Sequence, residues 1–207
     1  MRAWIISAGQ FERTGFYRSL VIKENDMVIC ADGGYDYAVA MGVQPTVVLG
    51  DLDSIRKPVK DSRIPIIKFP TDKDKTDSQL AVDYALENKC DEIVLLAATG
   101  GRIDHSLANI MLLGYIHDKG AEGLILTDKS RIALLTGQTV IKRGSGDGIS
   151  FVPITPTVEG LTTEGLLYNL NNKTVRQGDT LTISNEFRSH QAKVKLTKGR
   201  LLVICDA

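Results

Sequence analysis

The chain has 207 residues, 43% of them apolar, which is enough to bury one large hydrophobic core or two small ones. Lys and Arg together number 25, as do Asp and Glu, so the overall charge favours neither nucleic acid nor an anionic membrane as a partner. Any recognition of phosphate groups must therefore come from a local cluster of residues.

The three cysteines, Cys30, Cys90 and Cys205, are odd in number, far apart and set in apolar segments. This usage favours reduced thiols over a disulfide or zinc framework, so we expect a cytoplasmic protein. Residues 1–7 lack the long apolar region of an export signal, and no apolar run reaches the roughly 18 residues that a membrane-spanning helix needs. We expect no membrane partner.

Short apolar runs alternate with amphipathic stretches through the first two thirds of the chain. We predict strands at residues 3–6, 27–30, 46–49, 64–69, 92–97, 124–126 and 132–135, and helices at residues 35–41, 78–88 and 102–117. Most of these strands are too continuously apolar to have one face in water, which is typical of a parallel sheet. Thr76, with Gln79 three residues later, fits the start of a helix and places Asp77 in its first turn.

Five carboxylates lie close together in sequence directly after the apolar run at 46–49. They are Asp51, Asp53, Asp72, Asp74 and Asp77. So many like charges beside a buried strand are costly unless a cation neutralises them. The stretch is interpreted as a site for Mg²⁺ and a polyphosphate, although a lone Asp-x-Asp pair is also common in solvated turns.

A second glycine-containing stretch follows the strand at 92–97. Thr99, Gly100, Gly101 and Arg102 connect this strand to a helix, where backbone N–H groups and the arginine could hold phosphate, or the glycines could simply form a tight turn. Asp32 and its two following glycines are a weaker signal of the same kind. Because ligands of open α/β sheets bind outside the carboxyl ends of the strands, these polar segments are expected to meet at one rim.

Beyond Gly137 the pattern changes to short alternating segments separated by Gly, Pro and Asn. We predict strands at 148–153, 166–170, 179–184, 192–196 and 200–205 with no helices between them. The predicted fold is thus an N-terminal α/β domain with a parallel sheet, residues 1–137, followed by a C-terminal antiparallel β-sandwich, residues 138–207.

The motifs, taken in order, resemble those of the thiamin pyrophosphokinase family. They are ADGG from Ala31, GDLDSI from Gly50, DKDKTD from Asp72, ATGGRIDHSLANI from Ala98 and ISNEF from Ile183. The resemblance spans nearly the whole chain. It implies transfer of a pyrophosphoryl group from ATP to the hydroxyethyl group of thiamin, giving thiamin diphosphate and AMP, with Mg²⁺ as cofactor in a homodimer.

Site residues follow from the same resemblance. Asp51, Asp53 and Asp77 resemble the metal carboxylates, and Asp74, Thr76, Thr99, Gly100, Gly101, Arg102 and Asp104 resemble the polyphosphate surroundings. Asp32, Ser184 and Asn185 resemble residues on the thiamin side, where Tyr168 stands in place of the Trp that some members have. A tyrosine can stack on a cationic heterocycle, though more weakly than tryptophan. Asp77 and Asp104 are candidates for the general base.

Two other functions fit parts of the sequence. One is a Mg²⁺-dependent phosphohydrolase that activates water with the aspartates. The other is a non-catalytic module that senses a nucleotide and uses its C-terminal sandwich to bind a protein. AMP formation that requires thiamin separates the transferase from both.

Overall fold

The computed structural model of the chain describes residues 1–59 and 61–207. It divides into two compact units, Met1–Asp128 and Lys129–Ala207. The division therefore lies before β7, Ser130–Leu135, and not after Gly137 as predicted. The reason is that β7 pairs antiparallel with β14, Leu201–Asp206, which binds it to the second unit.

The first unit contains the predicted parallel sheet. Its strands are β1 (Arg2–Ile6), β2 (Met27–Ala31), β3 (Val47–Gly50), β4 (Ile66–Lys68), β5 (Glu92–Leu96) and β6 (Glu122–Leu126). They lie in the order β6-β5-β1-β2-β3-β4, and every neighbouring pair is parallel. Residues of the central strands are almost fully buried, as their continuous apolar sequences predicted.

Among the described residues, four helices lie between these strands: α1 (Thr14–Arg18), α2 (Gly34–Met41), α3 (Asp77–Glu87) and α4 (Ile103–Asp118). The sequence predicted all but the short α1. Thr76 precedes α3 as predicted, and its Oγ1 accepts a hydrogen bond from the Gln79 backbone N–H at 3.2 Å. Asp77 is therefore held in the first turn of α3. Within the described residues, no helix combines the length and apolar character needed to cross a bilayer.

The second unit is the predicted antiparallel sandwich. One sheet has the order β12-β9-β14-β7 and the other β11-β10-β13-β8. The strands not yet bounded are β8 (Gln138–Lys142), β9 (Gly148–Pro153), β10 (Thr157–Glu164), β11 (Lys173–Arg176), β12 (Asn185–Glu186) and β13 (Gln191–Lys195). Buried side chains of both sheets, including Phe151, Val158 and Val194, form one apolar core.

Two strands predicted for this unit are wrong. Residues 166–170 are irregular because side chains take their backbone donors: Asn169 Oδ1 accepts from the Leu166 N–H, and Asn185 Oδ1 accepts from the Tyr168 N–H. Residues 179–184 form turns instead. The strands β8, β10, β11 and β12 were not predicted, since they are short or their apolar residues are interrupted by Gly, Thr and Lys.

The three cysteines are free and buried, as predicted. Burial raises the pKa of the Cys30 thiol and that of Cys90, and it raises the pKa of Cys205 to about 11.

The first unit depends on a close approach between the end of β1 and the start of α2. A Cβ atom at Gly34 would lie 1.9 Å from the Ile6 carbonyl oxygen, whereas a Cβ at Gly15 meets nothing within 4 Å. We expect Gly34→Ala to lower the free energy of unfolding by about 3 kcal/mol or more, because backbone must shift to relieve the overlap. Gly15→Ala, the matched control, should change it by less than about 1 kcal/mol. Urea unfolding midpoints measure both, and equal midpoints would contradict the expectation.

Candidate active site

A cavity of about 660 Å³ opens in the first unit where the loops after β1, β2 and β5 meet the starts of α3 and α4. Asp32, Thr76, Asp77, Gly100, Gly101 and Arg102, all predicted site residues, line it. The predicted convergence of polar segments at the carboxyl ends of parallel strands is therefore confirmed for these residues.

Three carboxylates come together beside this cavity. One oxygen each from Asp32, Asp51 and Asp53 lies within 4.8 Å of the others. Asp32 directly follows β2, while Asp51 and Asp53 follow β3, the neighbouring parallel strand. The Asp32 Oδ1 atom is buried without a hydrogen-bond partner. A hard divalent cation such as Mg²⁺ fits this set of carboxylate oxygens, and it would satisfy the buried Asp32 oxygen.

Asp77 has a different partner. Its Oδ1 lies 3.1 Å from Lys73 Nζ, as an ion pair without hydrogen-bond geometry, and Lys73 Nζ also lies 3.6 Å from Asp51 Oδ2. The sequence grouped Asp77 with Asp51 and Asp53, and it placed Asp32 on the thiamin side. In the structure Asp32 joins the three-oxygen cluster, while Lys73 lies between Asp51 and Asp77.

The pKa values of the two carboxylates beside Lys73 are shifted in opposite directions. The pKa of Asp51 is lowered, first by the hydrogen bond from the Asp53 backbone N–H and then by Lys73. The pKa of Asp77 is raised because burial outweighs the attraction of Lys73. Asp77 is therefore the better proton acceptor of the two.

The glycine segment after β5 is fixed by its neighbours. The Gly9 N–H donates to the Ala97 carbonyl at 2.7 Å, and the Gln10 N–H donates to the Thr99 carbonyl at 2.8 Å. Gly100 has a φ of 86°, and a Cβ there would lie 2.3 Å from Gln10 Cβ, so only glycine fits. This backbone borders the cavity at the start of α4, the geometry in which N–H groups bind anions.

Arg102 and Asp104 occupy the outer edge of this segment. The Arg102 guanidinium donates from Nε at 3.1 Å and from a terminal nitrogen at 2.6 Å to the Asp104 carboxylate, and both side chains are exposed. The Arg102 guanidinium, together with the His105 backbone N–H, lowers the pKa of Asp104 to about 2. Asp104 is thus a weak base. Asp74 is exposed in the loop before α3.

The predicted thiamin-side residues of the second unit form a hydrogen-bonded group. Asn185 Oδ1 accepts from the Tyr168 N–H at 3.0 Å, and its Nδ2 donates to the Tyr168 carbonyl at 2.8 Å. The Tyr168 side chain is 64% exposed. Ser184 and Asn185 also line a groove of about 510 Å³. The Asn185 amide therefore holds the backbone of Tyr168, which leaves the tyrosine ring open to a ligand.

Backbone strain concentrates at these segments. Six non-glycine residues among those described have left-handed φ values, and four of them are Asp32 (49°), Leu52 (70°), Ala97 (48°) and Ser184 (58°). Each lies in or beside a predicted site motif. Such conformations persist where the surrounding structure enforces them, and they cluster at functional sites.

Several residues of the cavity were not singled out from the sequence. Ser78 and Gln10 gave no signal of their own; the Ser78 hydroxyl oxygen lies 3.0 Å from that of Ser7, which follows β1. Lys73, which pairs with Asp51 and Asp77 beside the cavity, was also not singled out, although its position between Asp72 and Asp74 was a visible signal. His105 also lines the cavity, but it is outside the three-oxygen cluster.

Models of two protein domains match parts of the chain. A model of the thiamin pyrophosphokinase catalytic domain matches residues 19–125, and a model of the thiamin pyrophosphokinase vitamin B1 binding domain matches residues 138–201. A thiamine pyrophosphokinase from Bacillus subtilis is 34% identical over 188 residues, which cover 87% of each chain.

Solved structures are similar along the whole chain. The crystal structure of thiamine pyrophosphokinase from Bacillus subtilis has a TM-score of 0.87 at 27% identity, covering 100% of this chain and 99% of that chain. The crystal structure of thiamin pyrophosphokinase from Geobacillus thermodenitrificans has a TM-score of 0.86, also at 27% identity, with coverage of 100% and 98%.

The position of Lys73 generates a prediction. We expect Lys73→Met to lower the Tm in EDTA by a few degrees, equivalent to about 1 kcal/mol, because Asp51 and Asp77 then lose their shared cation. Added Mg²⁺ should stabilise the variant more than the wild type, since the lysine no longer competes for Asp51. Lys75→Met is the matched control, because Lys75 pairs with Asp83 while 48% exposed, and it should change the Tm little. A Lys73→Met Tm equal to that of the wild type in EDTA would refute this role.

Proposed function

Because this chain belongs to the thiamin pyrophosphokinase family, we propose that it transfers the pyrophosphoryl group of ATP to the hydroxyl group of thiamin, giving thiamin diphosphate and AMP. One observation carries the proposal: a cluster of three carboxylates and a glycine-rich backbone segment border the same cavity. Phosphoryl transfer needs this combination, because its catalysis is mostly positioning and neutralisation of charge. The family supports neither a phosphohydrolase nor a non-catalytic sensing module.

Mg²⁺ is the proposed cofactor. Asp32, Asp51 and Asp53 would hold it through their clustered oxygens, whereas Asp77, which the family motif also suggests as a metal carboxylate, lies outside this cluster. When bound, the ion supplies positive charge for the phosphate oxygens. Lys73 adds a fixed cation on the other side of Asp51.

The remaining residues of the cavity have separate proposed roles. Thr99, Gly100, Gly101 and Arg102 hold the polyphosphate, with Asp74 and Thr76 next to it. Asp77 accepts the proton of the thiamin hydroxyl, since burial raises its pKa, whereas the pKa of Asp104 stays at about 2 beside Arg102. Asp104 instead orients Arg102 until substrate arrives.

Thiamin recognition is assigned to residues of the second unit. The exposed Tyr168 ring stacks on the cationic heterocycle, and Asn185 fixes the tyrosine backbone for that contact. Ser184 completes the group at a strained backbone position. The match of residues 138–201 to the vitamin B1 binding domain supports this assignment.

A homodimer is the proposed assembly. Ile103, Leu107 and Met111 are spaced four residues apart on α4, so they share one face, and they are 76%, 58% and 53% exposed. An apolar face of this kind is typical of a protein interface. We assign it to contact with a second copy of the chain. We also expect a cytoplasmic location, which the three free, buried cysteines favour.

The reaction is tested by following AMP and thiamin diphosphate with ATP, Mg²⁺ and thiamin. Both products should form in equal amounts, and only when thiamin is present. Asp53→Asn should lower kcat/KM roughly a hundredfold or more, because it removes charge that holds the metal. The control Asp61→Asn removes a carboxylate paired with Arg63 away from the cavity, and it should leave kcat/KM within about twofold. Nucleotide hydrolysis that proceeds equally without thiamin would instead indicate a phosphohydrolase.

The assembly is tested by sedimentation velocity. Leu107→Asp should convert the dimer to monomer at micromolar concentration, because a charge buried in an apolar interface costs several kcal/mol. Val21→Asp, at an exposed valine outside α4, should leave the dimer intact. A Leu107→Asp protein that sediments as the wild-type dimer would exclude α4 from the interface.

A further inference from the structure

We propose that Asn109 is a positioning residue for the polyphosphate loop, defined here as residues 97–102. The proposal rests on the proposed function, in which this loop holds the polyphosphate. Asn109 lies on α4, is 5% exposed and borders the cavity. Its Nδ2 donates a hydrogen bond to the Ala98 carbonyl at 2.7 Å.

The polyphosphate loop has little internal support. Ala97, Gly100 and Gly101 all have left-handed φ values of 48°, 86° and 68°, so the loop forms no regular structure. Its shape depends on hydrogen bonds from outside. The segment after β1 supplies two of them, from Gly9 to the Ala97 carbonyl and from Gln10 to the Thr99 carbonyl.

Between the Ala97 and Thr99 carbonyls lies that of Ala98. Among the described residues, only Asn109 donates a hydrogen bond to it. Ala98 is 2% exposed, so its carbonyl oxygen cannot exchange a lost partner for bulk water without a movement of the loop. Three successive carbonyls, those of Ala97, Ala98 and Thr99, are thus turned toward donors of the protein.

The hydrogen bond from Asn109 to the Ala98 carbonyl also sets the direction of the next backbone N–H group. The Ala98 carbonyl and the Thr99 N–H belong to one planar trans peptide and point in opposite directions. When Asn109 fixes the carbonyl, it also fixes the direction of the Thr99 N–H. Without Asn109 the peptide is free to rotate, and the N–H groups available to a phosphate lose their arrangement.

Ser106, one helical turn before Asn109, acts on the next part of the loop. Its Oγ accepts from the Gly100 N–H at 3.0 Å and donates to the Arg102 carbonyl at 2.9 Å. α4 therefore contacts the polyphosphate loop twice through one face. Ser106 provides an independent test of the same mechanism.

The test compares binding of two ligands by isothermal titration calorimetry. The variant is Asn109→Leu, which keeps the approximate volume of the side chain and removes the donor without adding charge. We expect its affinity for Mg²⁺-tripolyphosphate to fall roughly tenfold, the effect of losing one buried hydrogen bond that orders the loop. Its affinity for thiamin should stay within about twofold of the wild type. A general loss of structure would weaken both ligands.

Asn88→Ala is the matched control. Asn88 Nδ2 also donates to a backbone carbonyl, that of Tyr84 at 2.8 Å, but at the far end of α3. This variant should bind both ligands as the wild type does. Ser106→Ala should reproduce the selective loss of tripolyphosphate affinity, and it decides the question if Asn109→Leu does not fold.

The possible failures are distinct. If the wild type binds tripolyphosphate and the folded Asn109→Leu protein binds it equally well, the positioning role is overturned while the proposed function stands. Equal weakening of tripolyphosphate and thiamin also overturns the positioning role. If the wild type itself does not bind tripolyphosphate with Mg²⁺, the loop does not hold the polyphosphate and this inference is overturned, while the formation of AMP and thiamin diphosphate tests the proposed function separately.

Discussion

Electrostatic repulsion among carboxylates is the constraint around which the first unit is built. Parallel strands end at one edge, so Asp32 after β2 and Asp51 and Asp53 after β3 are brought within 4.8 Å of one another. Lys73, which lies between Asp51 and Asp77, offsets part of the negative charge of the cluster. The cluster is therefore incompletely neutralised by the protein, and this uncompensated charge is the basis of the proposed cation site.

The parallel sheet and its site could be predicted because the determining signals are local. Continuous apolar strands, Thr76 before α3 and polar residues after each strand are all visible in sequence order. The grouping of Asp32 with Asp51 and the role of Lys73 could not be predicted. They depend on which strands are neighbours and on side-chain direction, and neither is encoded by spacing along the chain.

The second unit was less predictable for a related reason. The segment at 166–170 has an alternating pattern suited to a strand, yet Asn169 and Asn185 occupy its backbone donors. β7 is apolar like the strands before it, and only its antiparallel pairing with β14 places it in the sandwich. Competition from side chains and pairing between distant strands override the local pattern in both cases.

The buried cysteines have a consequence for how the site responds to its surroundings. Cys30 lies two residues before Asp32, but its thiol is fully buried and its raised pKa disfavours the reactive thiolate. Cys90 and Cys205 are protected in the same way. Oxidants and alkylating reagents that act on thiolates therefore have no ready target among the three cysteines of the folded protein.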